Sequence, residues 1–249
     1  MAPMLNIGYI LKQVNRYSLE KIMDKKIIIR YSIRESMGLI GMAVALFWSA
    51  GTLNWWSAWG ALGVMFLWII ATATVILRTN PELLRERLGP RKGAKPWDMA
   101  IMSLLGLTQL ARYIIAGLDQ RFNWTGGFPF TIQIIVLILC ALGYALVVWS
   151  TATNAYFSQI VRIQTERGQT VVSSGPYDFM RHPAYSGALL YELAASVLLA
   201  SWWSLIPAGF SILLLITRTI LEDRLLQNEL TGYKDYSRKV RYRLLPGVW

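Results

Sequence analysis

Apolar residues gather into six runs, at residues 37–56, 59–77, 97–118, 128–150, 184–203 and 204–221, with polar stretches between them. Each run is close to the roughly 20 residues that a helix needs to cross the hydrocarbon core of a bilayer. The pattern predicts an all-α membrane protein with about six transmembrane helices. Ser201-Trp202-Trp203-Ser204 is all that joins the last two runs, and Pro207 follows, so these two should form a tight helical hairpin. Trp55, Trp56, Trp59, Trp97, Trp124, Trp149, Trp202 and Trp203 sit near run ends, as an interfacial aromatic belt requires.

Before the first run, Met4, Ile7, Ile10, Leu11, Val14, Leu19, Ile22 and Met23 recur at roughly helical spacing among lysines and arginines. That spacing predicts a basic amphipathic helix lying on the cytosolic membrane face. A signal peptide is not expected, because the apolar core of about 7–15 residues is missing. The chain therefore divides into an interfacial segment at 1–36, a four-helix transmembrane region at 37–150, and a third region at 151–249. The third region holds a polar loop, the hairpin, and a cytosolic C-terminal helix and tail.

Composition supports the membrane reading. The chain of 249 residues is 55% hydrophobic and 16% charged, against about a quarter charged in soluble domains, and its mean hydropathy is +0.40. The net charge of +11 would suggest nucleic acid in a soluble protein. Here it is explained by topology and anionic headgroups, so membrane lipids are expected as partners and nucleic acid is not. Of the 25 Lys and Arg residues, only Arg112 and Arg121 lie outside four stretches: before run 1, between runs 2 and 3, between runs 4 and 5, and from the end of run 6 onward. Under the positive-inside rule this gives an even number of crossings with both termini cytosolic. The setting would be a multi-pass protein of a bacterial inner membrane or the endoplasmic reticulum. With one cysteine, Cys140, and one histidine, His182, an intrachain disulfide and a Cys- or His-rich metal cluster are excluded, and no metal is expected.

Candidate chemistry collects between runs 4 and 5 and at the end of run 6. Val171-Val172 reads as a short extended piece and Ser174-Gly175-Pro176-Tyr177 as a turn. Pro183 suits the first turn of the next helix, with His182 near its N-cap. Helix starts favour anionic groups. Arg218 and Glu222 are four apart and share a helix face at the hydrocarbon edge, where an unpaired charge is expensive. Glu192 is a second ionisable residue within a run, readable as a direct participant or as a buried partner of Arg218 or Arg112. Arg112 and Asp98 read as structural.

Gly175-Pro-Tyr177, Arg181-His182-Pro183-x-Tyr185, Arg218-x-x-x-Glu222-Asp223 and a Tyr236…Pro246 tail resemble the isoprenylcysteine carboxyl methyltransferase family. More loosely they resemble integral-membrane methyltransferases that include phospholipid methyltransferases. The resemblance covers residues 154–249 and makes 151–249 the catalytic region. It implies S-adenosylmethionine as cofactor, without a Rossmann G-x-G-x-x-G. It places that cofactor against Gln164, Gln169, Thr170, Val171, Val172, Tyr177, His182, Pro183, Ala184, Tyr185 and Glu222. Family members often carry His where Gln169 stands, and Glu-Glu where Glu222-Asp223 stands. Arg218 matches the arginine that orients the acceptor carboxylate.

Three functions stay open at this stage. The first is a membrane methyltransferase for a lipophilic acceptor drawn from the bilayer, such as a prenylcysteine-type carboxylate. The second is phospholipid or small-molecule N- or S-methylation, for which Glu192 is the intramembrane candidate base. The third is a non-enzymatic transporter or scaffold, against which no paired broken helices are seen in matching halves.

Overall fold

The computed structural model describes residues 25–89 and 93–249. Among the described residues are eight α-helices and no strand: α1 (Lys25–Ala50), α2 (Trp56–Thr79), α3 (Glu82–Leu88), α4 (Pro96–Phe122), α5 (Phe130–Thr153), α6 (Pro183–Leu198), α7 (Leu205–Glu229) and α8 (Tyr233–Lys239). The six expected apolar runs all fall on helices. Four of these, α2, α4, α5 and α7, are long and apolar enough to cross a membrane. The other two differ from the expectation in length and composition. α1 is already helical at Lys25, the first described residue and twelve before its run, so the described helix opens with basic turns. α6 has 16 residues, or about 24 Å at 1.5 Å per residue. The boundary expected at residues 36 and 37 falls inside α1, and the amphipathic pattern of residues 4–23 lies outside the described residues.

Six long helices pack as a closed ring in the order α1, α4, α7, α6, α5, α2, returning to α1. The most extensive contact is between α5 and α6. Small residues permit it. A Cβ on Gly143 would stand 2.7 Å from the Gly187 carbonyl oxygen, so two glycines let the backbones touch. α6, whose first turn carries His182, is thereby fixed against α5. The α6–α7 connection is short, at residues 199–204, as the hairpin expectation requires.

The outer face of the ring is apolar. On α1, Ile29, Ile33, Met37, Ile40, Val44 and Trp48 form one exposed stripe at helical spacing. Trp59, Trp124, Trp149, Trp202 and Trp203 are exposed near helix ends, whereas Trp55 is buried. Inside the ring, Arg112 on α4 reaches Glu192 on α6 at 2.8 Å, between the rings of Tyr113 and Tyr191. Gln109 Nε2 donates to the other Glu192 oxygen at 3.1 Å. Both charges are buried, so each one's cost is offset by the other. Glu192 is therefore the partner of Arg112, one of the two roles open to it from the sequence.

Gly143→Ala should force α5 from α6 and destabilise the detergent-solubilised protein by about 1–3 kcal/mol, read as a lower Tm. Gly209→Ala on α7, where a Cβ meets nothing within 4 Å, should cause no loss.

Candidate functional site

Connections at one end of the ring are short. At the other end lie α3, the loop at residues 154–182, α8 and the tail. Local hydrogen bonds shape that loop. Asn154 caps α5, and its side chain accepts from the Tyr156 N–H at 2.9 Å. Gln164 is buried, its N–H donating to Gln169 Oε1 at 2.7 Å and its Nε2 to the Tyr156 carbonyl at 2.7 Å. Gly168 and Gly175 turn the chain at φ +62° and +60°, where residues with a Cβ are strained. Residues 171–172 pair with no strand. The expected turn at Gly175 is a 3-10 helix, Gly175–Asp178, held by the Tyr236 hydroxyl donating to the Tyr177 carbonyl at 2.7 Å.

Three charges on α7 hold this end together. Arg218 Nε donates to Asp98 Oδ1 at 2.7 Å, and its guanidinium to the Gln159 carbonyl at 2.8 Å. The second Asp98 oxygen accepts from the Val161 N–H at 2.8 Å, so the pair pins the loop between α4 and α7. Glu222 accepts from the Tyr185 hydroxyl on α6. Asp223, fully buried, faces Arg181 at 3.1 Å, His182 at 3.4 Å and Arg243 at 3.0 Å, and accepts from the Tyr233 hydroxyl at 3.0 Å.

His182 is the N-cap of α6 with Pro183 at its first position, as expected from the sequence. Its ring stacks on Tyr185, centroids 5.7 Å apart. The tail runs alongside. The Arg181 and His182 N–H groups donate to the Tyr242 and Arg243 carbonyls at 3.0 and 2.9 Å, and the Ser186 hydroxyl donates to the Leu244 carbonyl at 2.6 Å. Burial raises the phenol pKa of Tyr177, Tyr233 and Tyr236, so all three are neutral hydrogen-bond donors at physiological pH. Hydrogen bonds from Arg162, at 2.7 and 3.0 Å, hold the Glu86 carboxyl below the usual range.

These groups surround a cavity of about 510 Å³, within the roughly 300–1,000 Å³ of small-molecule sites. Every residue expected to hold a cofactor lines it except Pro183, and Arg218 lines it too. Glu192 is not among the lining residues. The cavity is polar at the loop and continues between the helices, past Met102, Leu105 and Ala188, to Trp68 and Tyr144, which stack 4.9 Å apart.

Several lining residues were not singled out from the sequence. Arg181 belongs to the Arg-His-Pro triplet and was visible there. Tyr233 and Tyr236 are aromatic positions of the basic tail. Asn154, Gln159 and Arg87 carry no local signal. Asp223 was seen as a variant of a motif position, and what it binds was not.

Residues 134–228 match the family model described as "Isoprenylcysteine carboxyl methyltransferase (ICMT) family". The Protein-S-isoprenylcysteine O-methyltransferase of Dictyostelium discoideum is 30% identical over 94 residues, 37% of this chain and 39% of that protein. Protein-S-isoprenylcysteine O-methyltransferase B of Arabidopsis thaliana is 32% identical over 85 residues, 34% of this chain and 40% of its own. The Probable protein-S-isoprenylcysteine O-methyltransferase of Oryza sativa subsp. japonica is 22% identical over 182 residues, 70% of this chain and 92% of that protein. The matched part thus spans about two fifths of the length of the first two relatives. The family model covers α6, the loop and the charged turn of α7, but not the tail.

Asp223→Ala leaves the buried Arg181 without its carboxylate and should cost about 3–5 kcal/mol. Limited trypsin digestion should then cut faster at Arg243, which Asp223 holds in the parent protein.

Proposed function

From the match of residues 134–228 to the isoprenylcysteine carboxyl methyltransferase family model, we propose that the protein is an integral-membrane methyltransferase of that family. It transfers a methyl group from S-adenosylmethionine to the carboxylate of a lipophilic, prenylcysteine-type acceptor that enters from the bilayer. The observation that carries this reading is the single cavity with a polar end at the loop and an apolar end among the helices. Two ligands of unlike polarity can meet there.

The lining residues suit the cofactor. Glu222, with one oxygen bonded to Tyr185, has acceptor capacity left for a ribose diol or an amine. Tyr185 and Tyr177 give aromatic faces for a sulfonium cation, an attraction of about 0.5–2 kcal/mol. When bound, S-adenosylmethionine supplies an activated methyl group.

Methyl transfer is an in-line displacement whose chief demand is position, with reacting atoms about 3–3.5 Å apart. The chain's part is to hold the acceptor. Arg218, fixed by Asp98 and by the Gln159 carbonyl, lines the cavity and orients the acceptor carboxylate. Asp98 offsets part of its charge, so the acceptor is aligned without losing its nucleophilicity. An ionised carboxylate needs no base. An amine acceptor would need one, and among the described residues Glu222 is the only carboxylate lining the cavity, while Glu192 is paired with Arg112 inside the ring. This favours the carboxylate over the amine.

All six long helices would traverse the apolar layer, with the cavity's polar end and both termini on the cytosolic side. The basic residues of the loop end and the exposed apolar stripe of α1 support this arrangement.

Glu222→Ala should weaken the demethylated cofactor product by about 10- to 100-fold in calorimetry in detergent, the loss of a charge-assisted hydrogen bond. Arg218→Lys, which keeps a cation beside Asp98, should largely preserve that affinity while labelled-methyl transfer to a prenylcysteine falls by about tenfold or more. A parent protein that takes up no demethylated cofactor at any concentration tried would refute the methyltransferase reading.

A further inference from the structure

The cations around the cavity are not equally compensated. Arg162 is held by Glu86 and Glu166, Arg181 by Asp223, and Arg218 by Asp98. Arg87, in the last turn of α3, lines the same cavity at 9% exposure, and among the described residues it makes no ion pair. Its Nε is buried with no hydrogen-bond partner. Its guanidinium lies 5.6 Å from the centre of the Phe157 ring and hydrogen-bonds to the Tyr31 phenol, a neutral partner. The nearest further cation, Arg34, adds like charge, and Glu35 is bonded to Arg34. A guanidinium buried in this way carries an unmet demand for an anion.

Its place in the cavity suggests which anion. Arg34 Nη1 donates both to the Arg87 carbonyl, at 2.7 Å, and to Gln159 Oε1, at 3.2 Å. The Gln159 carbonyl in turn accepts from Arg218 at 2.8 Å. Arg87 and Arg218 thus both line this cavity, and their segments are linked through Arg34 and Gln159. One has its charge compensated by Asp98 and the other does not.

We propose that Arg87 is the residue that receives the acceptor's carboxylate, while Arg218 aligns it. The proposal rests on the carboxyl-methyltransferase reading above. It divides two requirements that one arginine meets poorly. Drawing an anion into a half-apolar cavity needs uncompensated charge, whereas a nucleophilic carboxylate must not be neutralised at the reacting oxygen. A planar guanidinium can grip one carboxylate edge and leave the other lone pairs exposed.

The test compares a prenylcysteine acid with its uncharged amide as inhibitors, alongside calorimetry of the demethylated cofactor product, in parent protein and Arg87→Gln. The expected result is an acid that binds about tenfold or more weakly to the variant, an amide that binds as before, and an unchanged cofactor affinity. Acid and amide weakened alike would make Arg87 a structural residue and overturn the proposal. Loss of cofactor affinity alone would assign the carboxylate to the cofactor, and would also overturn it. Should Arg87→Gln fail to fold, Arg87→Lys replaces it. A smaller preference for acid over amide than in the parent supports the assignment, and an undiminished preference overturns it. A parent protein that binds the cofactor product but transfers no methyl to the acid refutes the underlying reading and this proposal together. Turnover of the acid by Arg87→Gln at the parent KM refutes this proposal alone.

Discussion

Charges at the edge of an apolar layer must be compensated, and one stretch of α7 carries three of them within six residues. Arg218, Glu222 and Asp223 each find a partner on a different element: Asp98 on α4, Tyr185 on α6, and the Arg181-His182 turn with Arg243 of the tail. An unpaired charge in this position would cost several kcal/mol. Satisfying all three at once fixes the loop, the start of α6 and the tail around a single cavity. The site exists because α7 cannot leave the apolar layer without those partners.

The same principle operates deeper in the ring. Arg112 and Glu192 lie on helices that are not ring neighbours, and only long side chains bridge them. The pair adds polarity without opening a second site, since Glu192 does not border the cavity. At that depth Gln109, which donates to Glu192, borders the cavity among apolar and aromatic residues. Polarity thus grades from the loop end inward, so one cavity offers surfaces of unlike polarity. The close backbone contact of Gly143 with Gly187 holds α6 against α5 and so sets the height of the His182 turn.

Arg87 shows how a site can draw on a part of the chain outside the family match. The matched region, residues 134–228, contains most residues that line the cavity, Arg218 and Glu222 among them. Arg87 comes from α3, in a loop whose arginines look interchangeable by position. Only its burial and its lack of an ion pair among the described residues distinguish it. Arg85, nearby in the same helix, is exposed.

By itself the sequence determined the helical class, the positions of six apolar helices and the helix start at Pro183, while the loop positions that border the cavity came from the family resemblance. Each of these is a local property, written in hydropathy, proline placement or short motif spacing. It did not determine helix ends within a few residues, and so α1 and α6 departed from the expected lengths. Nor did it assign partners. Glu192 was open to two roles until Arg112 stood beside it, and Asp98 looked merely structural until it met Arg218 from 120 residues away. The choice among charge partners belongs to tertiary structure, because in a ring of helices the residue that compensates a buried charge is set by which helices become neighbours.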